Sequence, residues 1–379
     1  MKVNIIGQGM TNFGELWEFD LRQLAFQAAL QAIKNAHLDM KDIDALYIAN
    51  MNSSSFTGQE HLGALVASDL NLNCPSLRVE GACASGSLAI HCAFNAIKSG
   101  LYKTILVVGV EKMTDVDAAT ATNALAAAAD EEWEGFYGVT FPSLYAMMAR
   151  EHFRQYGTTR EDLAMISVKN HYNATLNPNA HFHKEITVAE VLKAPAVASP
   201  LGLLDCSPIS DGGAAIILSS EVSGKVELVT SEVSTDKIAL HDRDSLTSIK
   251  ATKLASKKAY SHAEITSKDI NIAEVHDCFT IAELIAYEDL DFVKPGFSAK
   301  LIHNGYFSRK GKLPVNTSGG LKGCGHPVGA TGVKQAMEIS LQLAGLAGLR
   351  QITKPLKYGL THNVGGSGAT SVINIFKSN

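Results

Sequence analysis

The chain has 379 residues, more than the roughly 250–300 at which a single hydrophobic core stops growing, so we expect two packed units or one duplicated unit. Its composition is 46% hydrophobic and 19% charged, which excludes a disordered chain and supplies ample material for a core. The formal net charge is −5 and no run of Lys and Arg forms a basic stripe, which argues against a nucleic-acid-binding protein.

Cysteine usage and hydropathy bear on the compartment. The six cysteines are too sparse and scattered for a disulfide framework, which favours a reducing compartment. The opening Met-Lys-Val-Asn-Ile-Ile-Gly lacks the apolar core of a signal peptide, and the closing Phe-Lys-Ser-Asn is not a peroxisomal signal. No stretch approaches the about 18 consecutive apolar residues that predict a membrane span. We therefore expect a cytoplasmic protein without a membrane span.

Short β-rich runs alternate with longer helical stretches along the first half of the chain, as is typical of an α/β protein. The predicted strands are residues 3–6, 46–48, 77–79 and 104–110. The predicted helices are residues 20–36, 59–69 and 84–98, the last closed by Ser99 and Gly100.

The same pattern starts again near residue 225. The predicted strands are residues 226–229, 272–275, 313–315, 357–361 and 370–376, and the predicted helices are 246–262, 279–290 and 327–346. We therefore predict an internal duplication, with an N-terminal half at 1–224 and a C-terminal half at 225–379. Residues 114–210 have no counterpart in the second half, and we expect this insert to cover a site or to form a binding wall.

Cys83 is the first candidate for chemistry. It lies between a predicted strand and an apolar helix, where unsatisfied N–H groups and the helix dipole favour a thiolate. The alternative is a buried cysteine that only packs. The stretch 318–332, which contains Gly-His-Pro-Val-Gly-Ala-Thr-Gly, occupies the same strand-to-helix corner in the second half, so His326 is expected to face Cys83 as its base.

Two further clusters follow strands of the second half. The block Glu-Val-His-Asp-Cys-Phe at 274–279 supplies His276 and Cys278 at a strand end, where α/β sheets place their ligands. The glycine-rich turn at 362–368 offers backbone N–H groups to an oxyanion. Each cluster is also compatible with an ordinary loop.

A zinc site is the competing interpretation of these side chains. Its ligands would be His276, Cys278, Cys324 and His326. Within each of the pairs His276–Cys278 and Cys324–His326, one residue lies between the two ligands. Structural zinc pairs typically leave about two to four residues between ligands. The spacing therefore argues against a metal site.

Four blocks together resemble the thiolase superfamily over essentially the whole chain. They are Gly-Ala-Cys-Ala-Ser-Gly at 81–86, Val-Gly-Val-Glu-Lys-Met at 108–113, His-Asp-Cys-Phe at 276–279 and Gly-His-Pro-Val-Gly-Ala-Thr-Gly at 325–332. The His-Asp-Cys-Phe block is similar to that of sterol-carrier-protein type thiolases and their bacterial and archaeal relatives.

The resemblance implies a thiolase fold: duplicated βαβαβαββ halves in a five-layered α/β/α/β/α sandwich with an inserted loop domain. It implies an acetyl-CoA C-acyltransferase that cleaves 3-ketoacyl-CoA or condenses acyl-CoAs, in fatty acid or lipid metabolism. The substrates are acyl-CoA and coenzyme A, with no further cofactor. A homodimer or homotetramer is expected, and a small partner protein remains possible.

The resemblance also assigns roles. Cys83 attacks the thioester and holds the acyl group, and His326 takes its proton. The acyl oxyanion lies on the backbone N–H groups of Cys83 and of the turn at Gly365 and Gly366. His326, together with a water held by His276, binds the enolate oxygen.

One departure from the family pattern concerns the acid/base cysteine. Conventional thiolases carry it in a C-x-G block near the C-terminus, but this chain has Thr-His-Asn-Val-Gly at 361–365 and no cysteine after Cys324. Cys278 is the candidate to replace it, because the His-Asp-Cys-Phe relatives are thought to use that thiol. Cys324 is expected to be a packing residue.

Three alternatives stay open. A ketoacyl-synthase-like condensing enzyme would pair Cys83 with His276 and His326 and would leave Cys278 without a role. A partner-dependent thiolase-like or retro-aldolase subunit would use the same fold with a second protein. A non-catalytic acyl-CoA or lipid-binding protein would bind coenzyme A without forming an acyl-enzyme.

Overall fold

The computed structural model describes residues 1–379. Its strands are β1 (Asn4–Met10), β2 (Ala45–Ala49), β3 (Ser76–Val79), β4 (Thr104–Glu111), β5 (Ala196–Ala198), β6 (Leu201–Gly202), β7 (Gly212–Ser219), β8 (Val226–Thr235), β9 (Ile272–Glu274), β10 (Tyr358–Gly365) and β11 (Thr370–Ser378). Its helices are α1 (Leu21–Asn35), α2 (Ser53–Thr57), α3 (Leu62–Asp69), α4 (Ser85–Lys98), α5 (Ala118–Ala126), α6 (Phe141–Tyr156), α7 (Arg160–Ala174), α8 (Val188–Lys193), α9 (Lys250–His262), α10 (Thr280–Asp289), α11 (Ser298–His303), α12 (Gly320–Cys324) and α13 (Val328–Ala344). None of the helices combines the length and apolar character needed to cross a bilayer.

The main sheet shows the duplication directly. Its strand order is β3-β2-β4-β7-β1-β8-β11-β10-β9. β1 and β8 meet through only two residue pairs, Asn4 with Glu227 and Ile5 with Val226. Outward from this junction both halves repeat one order, with β8, β11, β10 and β9 in the places of β1, β7, β4 and β2. The predicted duplicated fold is therefore confirmed. The division expected between residues 224 and 225 lies between β7 and β8 and stays a prediction.

The predicted strand at 313–315 is wrong in extent, because only an isolated parallel bridge joins Val315 to Ala273. This bridge occupies the place that β3 has in the first half. Pro314 has no N–H to donate, so the ladder cannot be continued through it. The backbone N–H of Val315 is instead bonded to Phe307 O, at 3.1 Å.

Five layers enclose three main cores. α1 and α3 cover the outer face of the N-terminal part of the sheet, which is made of β1 to β4 and β7, and α9 covers that of the C-terminal part, β8 to β11. α4 and α13 lie between these two parts of the sheet and contact strands of both halves. The outer N-terminal core, the central core and the outer C-terminal core are separate clusters of buried apolar side chains. The predicted α/β/α/β/α sandwich is thus observed.

Three boundaries differ from the sequence-based prediction, each for a physical reason. β1 continues past residue 6 to Met10, because Gly7 and Gly9 let α1 pack directly on the strand. A Cβ on Gly9 would stand 2.2 Å from Ala28 O. Helix α3 begins at Leu62 rather than at residue 59, because His61 has a left-handed backbone with φ 57°. β8 also runs on to Thr235, since its polar residues pair along the whole length of β11.

The insert lies between β4 and β7 and contains α5 to α8 with the short pair β5–β6. Although it leaves the first half of the chain, it packs largely on the second half. α7 contacts α10, α11 and α12, and α6 contacts α10. The insert is therefore placed to contribute side chains where the two halves meet.

Candidate active site

A cavity of about 480 Å³ opens where the first turns of α4 and α13 meet the turn after β10. Both halves and the insert line it. Its lining includes Cys83, Met113, Leu125, Phe141, Tyr145, Cys206, Cys278, Phe279, His326 and Gly366. A second cavity, of about 550 Å³, lies between α7 and residues 302–310 and contains none of the predicted site residues.

Cys83 lies in a single 3₁₀ turn, Ala82–Ala84, between β3 and α4. The turn is tight, and Ala82 has a left-handed backbone with φ 51°. Ser85 Oγ supports it by accepting the Gly81 N–H at 3.0 Å and donating to Ala82 O at 2.6 Å. A strained conformation at such a corner holds the thiol in one direction.

Burial decides the protonation state of Cys83. Removal from water raises the pKa of its thiol to about 12, although the backbone N–H groups of Gly366 and of Cys83 itself favour the thiolate. The expectation that the helix mouth would favour a thiolate is therefore wrong for Cys83 in this structure. Desolvation of the sulfur outweighs the field of the first helical turn.

His326 is the unprotonated partner of this thiol. Its Nδ1 lies 2.7 Å from Thr331 Oγ1, and the Thr331 hydroxyl donates to Pro327 O at 3.0 Å. Because that hydroxyl proton is already used, Nδ1–H must be the donor, and Nε2 keeps its lone pair. Burial, helped by Lys334, lowers the pKa of His326 to about 3, so the ring is a neutral base.

His276 completes a group of three with Cys83 and His326. One ligand atom of each lies within 4.8 Å of the others. The two imidazole rings are edge to face with centroids 5.2 Å apart. Burial lowers the pKa of His276 well below its usual value, and the other buried histidines add to this. The structure thus brings together three side chains that the sequence placed at three separate strand ends.

Cys278 lines the same cavity, and its thiol lies near enough to the Tyr145 hydroxyl for that group to favour the thiolate. Burial raises the pKa of Cys278 well above its usual value, and the nearby Cys83 thiol adds to the shift. Tyr145 comes from the insert, stacks on Phe279 at 4.7 Å between ring centroids, and donates to Gly366 O at 3.1 Å. One hydroxyl thus contacts the second thiol and the glycine turn.

The two glycines of that turn differ in position. The Gly366 N–H points at the Cys83 thiol. Gly365 pairs with Thr370 at the end of β10, and a Cβ on it would stand 2.5 Å from Gly81 O. Gly366 is thus placed as an N–H donor, while Gly365 lets the turn approach the Cys83 segment.

Other residues of the four blocks build the framework. Glu111 accepts hydrogen bonds from the backbone of Met51, Asn52 and Gly329 at 2.9–3.1 Å, which joins the end of β4 to the start of α13. Asp277 accepts the N–H groups of Leu321 and Lys322 and the Asn170 amide at 2.6–3.1 Å. These buried carboxylates hold the loops that carry His326.

Cys324 lies apart from the cavity. It packs in the central core, and its Sγ accepts a hydrogen bond from Asn177 at 3.4 Å. The thiol that lies within 4.8 Å of the two imidazoles is that of Cys83. Cys278 and Cys324 are not part of this group. The four-residue zinc set considered from the sequence is therefore not assembled.

Sequence reasoning missed three residues of this site. Thr331 was visible inside the Gly-His-Pro block, five residues after His326, where one helical turn brings it back to the imidazole. Asn363 was visible only as part of a glycine-rich turn. Tyr145 had no signal beyond an aromatic-rich insert, because its contacts depend on how the insert folds back onto the second half.

Comparison with known proteins finds similarity over essentially the whole chain. Two family models match it, the thiolase N-terminal domain over residues 3–222 and the thiolase C-terminal domain-like model over residues 232–378. It is 48% identical to an acetyl-CoA acetyltransferase of Methanothermobacter thermautotrophicus over 99% of both chains. It is 34% identical to the benzoylsuccinyl-CoA thiolase subunit BbsB of Thauera aromatica, over 96% of this chain and 95% of that protein. The structure of an Ltp2–ChsH2(DUF35) aldolase shares the fold, with a TM-score of 0.87 at 23% identity over 100% of this chain and 98% of that one.

Proposed function

Since the chain belongs to the thiolase family, we propose that its cavity performs acyl transfer between coenzyme A thioesters through a covalent acyl group on Cys83. The chain is an acyltransferase of the thiolase type, and acetyl-CoA is the acetyl donor or product, as in its acetyl-CoA acetyltransferase relative. The observation that carries the proposal is the group of Cys83, His276 and His326 within 4.8 Å, beside a second thiol.

In the cleavage direction, Cys83 Sγ attacks the 3-keto carbon while its proton passes to His326 Nε2. The oxyanion formed is held by the backbone N–H groups of Cys83 and Gly366. The bond between the α-carbon and the keto carbon then breaks, and the enolate of acetyl-CoA leaves. The protonated His326 and His276 stabilise its oxygen, and Cys278 gives its proton to the α-carbon.

The second half-reaction returns Cys83, Cys278 and His326 to their starting protonation states. Coenzyme A enters as a thiol and gives its proton to the Cys278 thiolate. Its sulfur attacks the acyl carbon on Cys83, and the tetrahedral oxyanion again lies on the two backbone N–H groups. Cys83 leaves as the protonated thiol, taking its proton from His326. The neutral thiols and the neutral imidazole of the resting site are thus regenerated, with coenzyme A and its thioesters as the only reactants.

The proposal is tested by replacing each thiol. Cys83→Ala should take up no acetyl group from acetyl-CoA in an intact-mass measurement, because the nucleophile is gone. Cys278→Ala should still be acetylated, yet should lose thiolysis of acetoacetyl-CoA by about 10²–10⁴-fold, the usual contribution of a general acid or base. Cys92→Ala, on the half-buried side of α4, is the matched control and should behave as the unmodified protein.

Retained labelling of Cys83→Ala would overturn the assigned nucleophile. Unchanged thiolysis in Cys278→Ala would remove that thiol and favour the ketoacyl-synthase-like alternative. Absence of any adduct in the unmodified protein would favour a non-catalytic binding protein.

A partner-dependent form of the same activity has specific support. Of the similar proteins, BbsB is named as a thiolase subunit, and the Ltp2–ChsH2(DUF35) aldolase has two components in its name. Thiolysis of acetoacetyl-CoA by the purified chain alone separates the two forms, because a partner-dependent chain should form the adduct but turn over slowly.

Assembly and location complete the proposal. β3 is the edge strand of the sheet, and its Leu77 is 54% exposed, which supports pairing with a second copy as a homodimer or homotetramer. The six scattered cysteines support a cytoplasmic location. A role in fatty acid or lipid metabolism is supported by the acyl-CoA chemistry.

A further inference from the structure

Asn363 is a fully buried amide between His276 and the first turn of α4. Its Nδ2 lies 2.9 Å from His276 Nδ1, and its Oδ1 accepts the Ser87 N–H at 3.4 Å. A backbone N–H can only donate, so Oδ1 must face Ser87 and the NH₂ group must face the imidazole. Gly332 leaves room for this arrangement, since a Cβ there would stand 2.4 Å from Asn363 Oδ1.

The amide orientation has a consequence for the ring. An NH₂ group only donates, so His276 Nδ1 must accept with its lone pair. A neutral imidazole then carries its single proton on Nε2. His326, whose Nδ1–H donates to Thr331, has the opposite tautomer. The Nε2 atoms of both rings are buried and have no partner within the protein.

We infer that Asn363 is a positioning residue that fixes His276 as the Nε2–H tautomer, so that the cavity holds one imidazole that donates and one that accepts. The inference rests on the proposed acyl transfer, in which His276 stabilises the oxygen of the enolate. A fixed donor is available there before substrate binds and needs no rearrangement when charge develops.

The same tautomer of His276 also disfavours binding of a metal ion at the site. A thiol and two imidazoles within 4.8 Å are a typical ligand set for Zn²⁺, which binds them at about 2.0–2.3 Å. Zinc requires a lone pair on each ligating nitrogen. Asn363 places a proton on His276 Nε2, so only one of the two imidazoles presents a lone pair. The amide therefore acts against capture of the nucleophile by a metal ion.

Asn363→Asp tests both consequences with a residue of the same shape. The carboxylate still accepts the Ser87 N–H, but its other oxygen accepts from His276, and this moves the ring proton to Nδ1. At pH 8 we expect thiolysis of acetoacetyl-CoA to fall by about 10²–10³-fold, as for loss of one oxyanion donor. We also expect the variant to gain one equivalent of bound Zn²⁺ by titration calorimetry, with inhibition that a chelator reverses.

The matched control is Asn374→Asp. Asn374 is also fully buried, lies on the neighbouring strand β11, and donates to Thr361 Oγ1 at 3.1 Å rather than to an imidazole. The Asn374→Asp substitution introduces the same carboxylate into the same sheet, and this variant should gain no zinc site. A similar gain of zinc in both variants, or in neither, would overturn the inference.

A measurement on the unmodified protein keeps the test decisive if Asn363→Asp does not fold. Long-range proton–nitrogen NMR spectra of ¹⁵N-histidine-labelled protein report which ring nitrogen is protonated, with His276→Gln identifying the signal. An Nε2–H signal at His276 supports the inference and an Nδ1–H signal overturns it. Absence of a Cys83 adduct would remove the proposed function while leaving the tautomer and zinc results intact, so the two failures are distinguishable.

Discussion

Cys83 and His326 both rest in their neutral forms because the cavity removes them from water. Burial raises the pKa of the thiol to about 12 and lowers the pKa of the imidazole to about 3. In the proposed mechanism the pair therefore ionises only when the substrate arrives. The proton then passes from sulfur to Nε2, and the thioester and the backbone N–H groups stabilise the new charges.

These protonation states predict a flat pH profile for acetylation of Cys83. The reactive form needs His326 unprotonated, which holds at every pH above about 3, and Cys83 protonated, which holds below about 12. kcat/KM for transfer from acetyl-CoA should thus stay constant between about pH 5.5 and 8.5. A fall in rate on acidification through about pH 6.5, the usual histidine pKa, would show that His326 is not held neutral by burial. Stopped-flow measurement of coenzyme A release gives the profile.

Helix α6 of the insert contributes a side chain to a site that is otherwise formed by the two halves. Its Tyr145 hydroxyl contacts Cys278 and donates to Gly366 O. In the proposed mechanism, once Cys278 gives up its proton, this hydroxyl turns away from Gly366 O and donates its single proton to the thiolate. The insert therefore does more than cover the cavity, because one of its helices places a hydroxyl beside the Cys278 thiol and against the Gly366 carbonyl.

Tyr145→Phe should slow carbon–carbon chemistry selectively. Loss of a hydrogen bond to a charged group costs about 1.5–3 kcal/mol, so acetoacetyl-CoA thiolysis should fall by about 10–100-fold while acetylation of Cys83 from acetyl-CoA changes less. Tyr260→Phe is the matched control, since its buried hydroxyl donates to Leu290 O at 2.8 Å. Both variants should lose similar stability, but only Tyr145→Phe should lose thiolysis. Equal activity of the two variants would remove Tyr145 from the mechanism.

The two halves of the molecule are joined where α4 and the end of β4 closely contact α13, between the two parts of the sheet. A Cβ on Gly86 would stand 2.7 Å from Gly332 N and 2.9 Å from Gly329 O. A Cβ on Gly109 would stand 2.4 Å from Gly329 O. This contact sets the distance between the helix mouths that carry Cys83 and His326, so the fold and the site depend on the same glycines.

Gly86→Ala separates packing from helix propensity. In an open helix, Ala is more favourable than Gly by about 1 kcal/mol. Here the added methyl must push α4 from α13, and overpacking typically costs about 1–3 kcal/mol. We expect a lower free energy of unfolding in urea, with loss of activity as the helix mouths move apart. Equal or greater stability would show that the two helices are not in such close contact.

The sequence by itself determined the family and the duplicated order of strands and helices, and it singled out Cys83, His276, Cys278 and His326 as candidate site residues. Those properties are encoded in local periodicity and in short motifs at strand ends, which a chain displays before it folds. Even so, Pro314 reduced one predicted strand to a bridge, and β1 ran past its predicted end at residue 6 through glycines against which α1 packs.

Only the tertiary structure decided the protonation state of Cys83 and the tautomer of His276. Whether Cys83 rests as a thiol depends on the balance between burial and the N–H groups around it, and those groups come from residues 83 and 366. The tautomer of His276 depends on an amide at 363 that is held in turn by the backbone of Ser87. Such states depend on distances of a few ångströms between segments far apart in the chain, which no pattern along the sequence specifies.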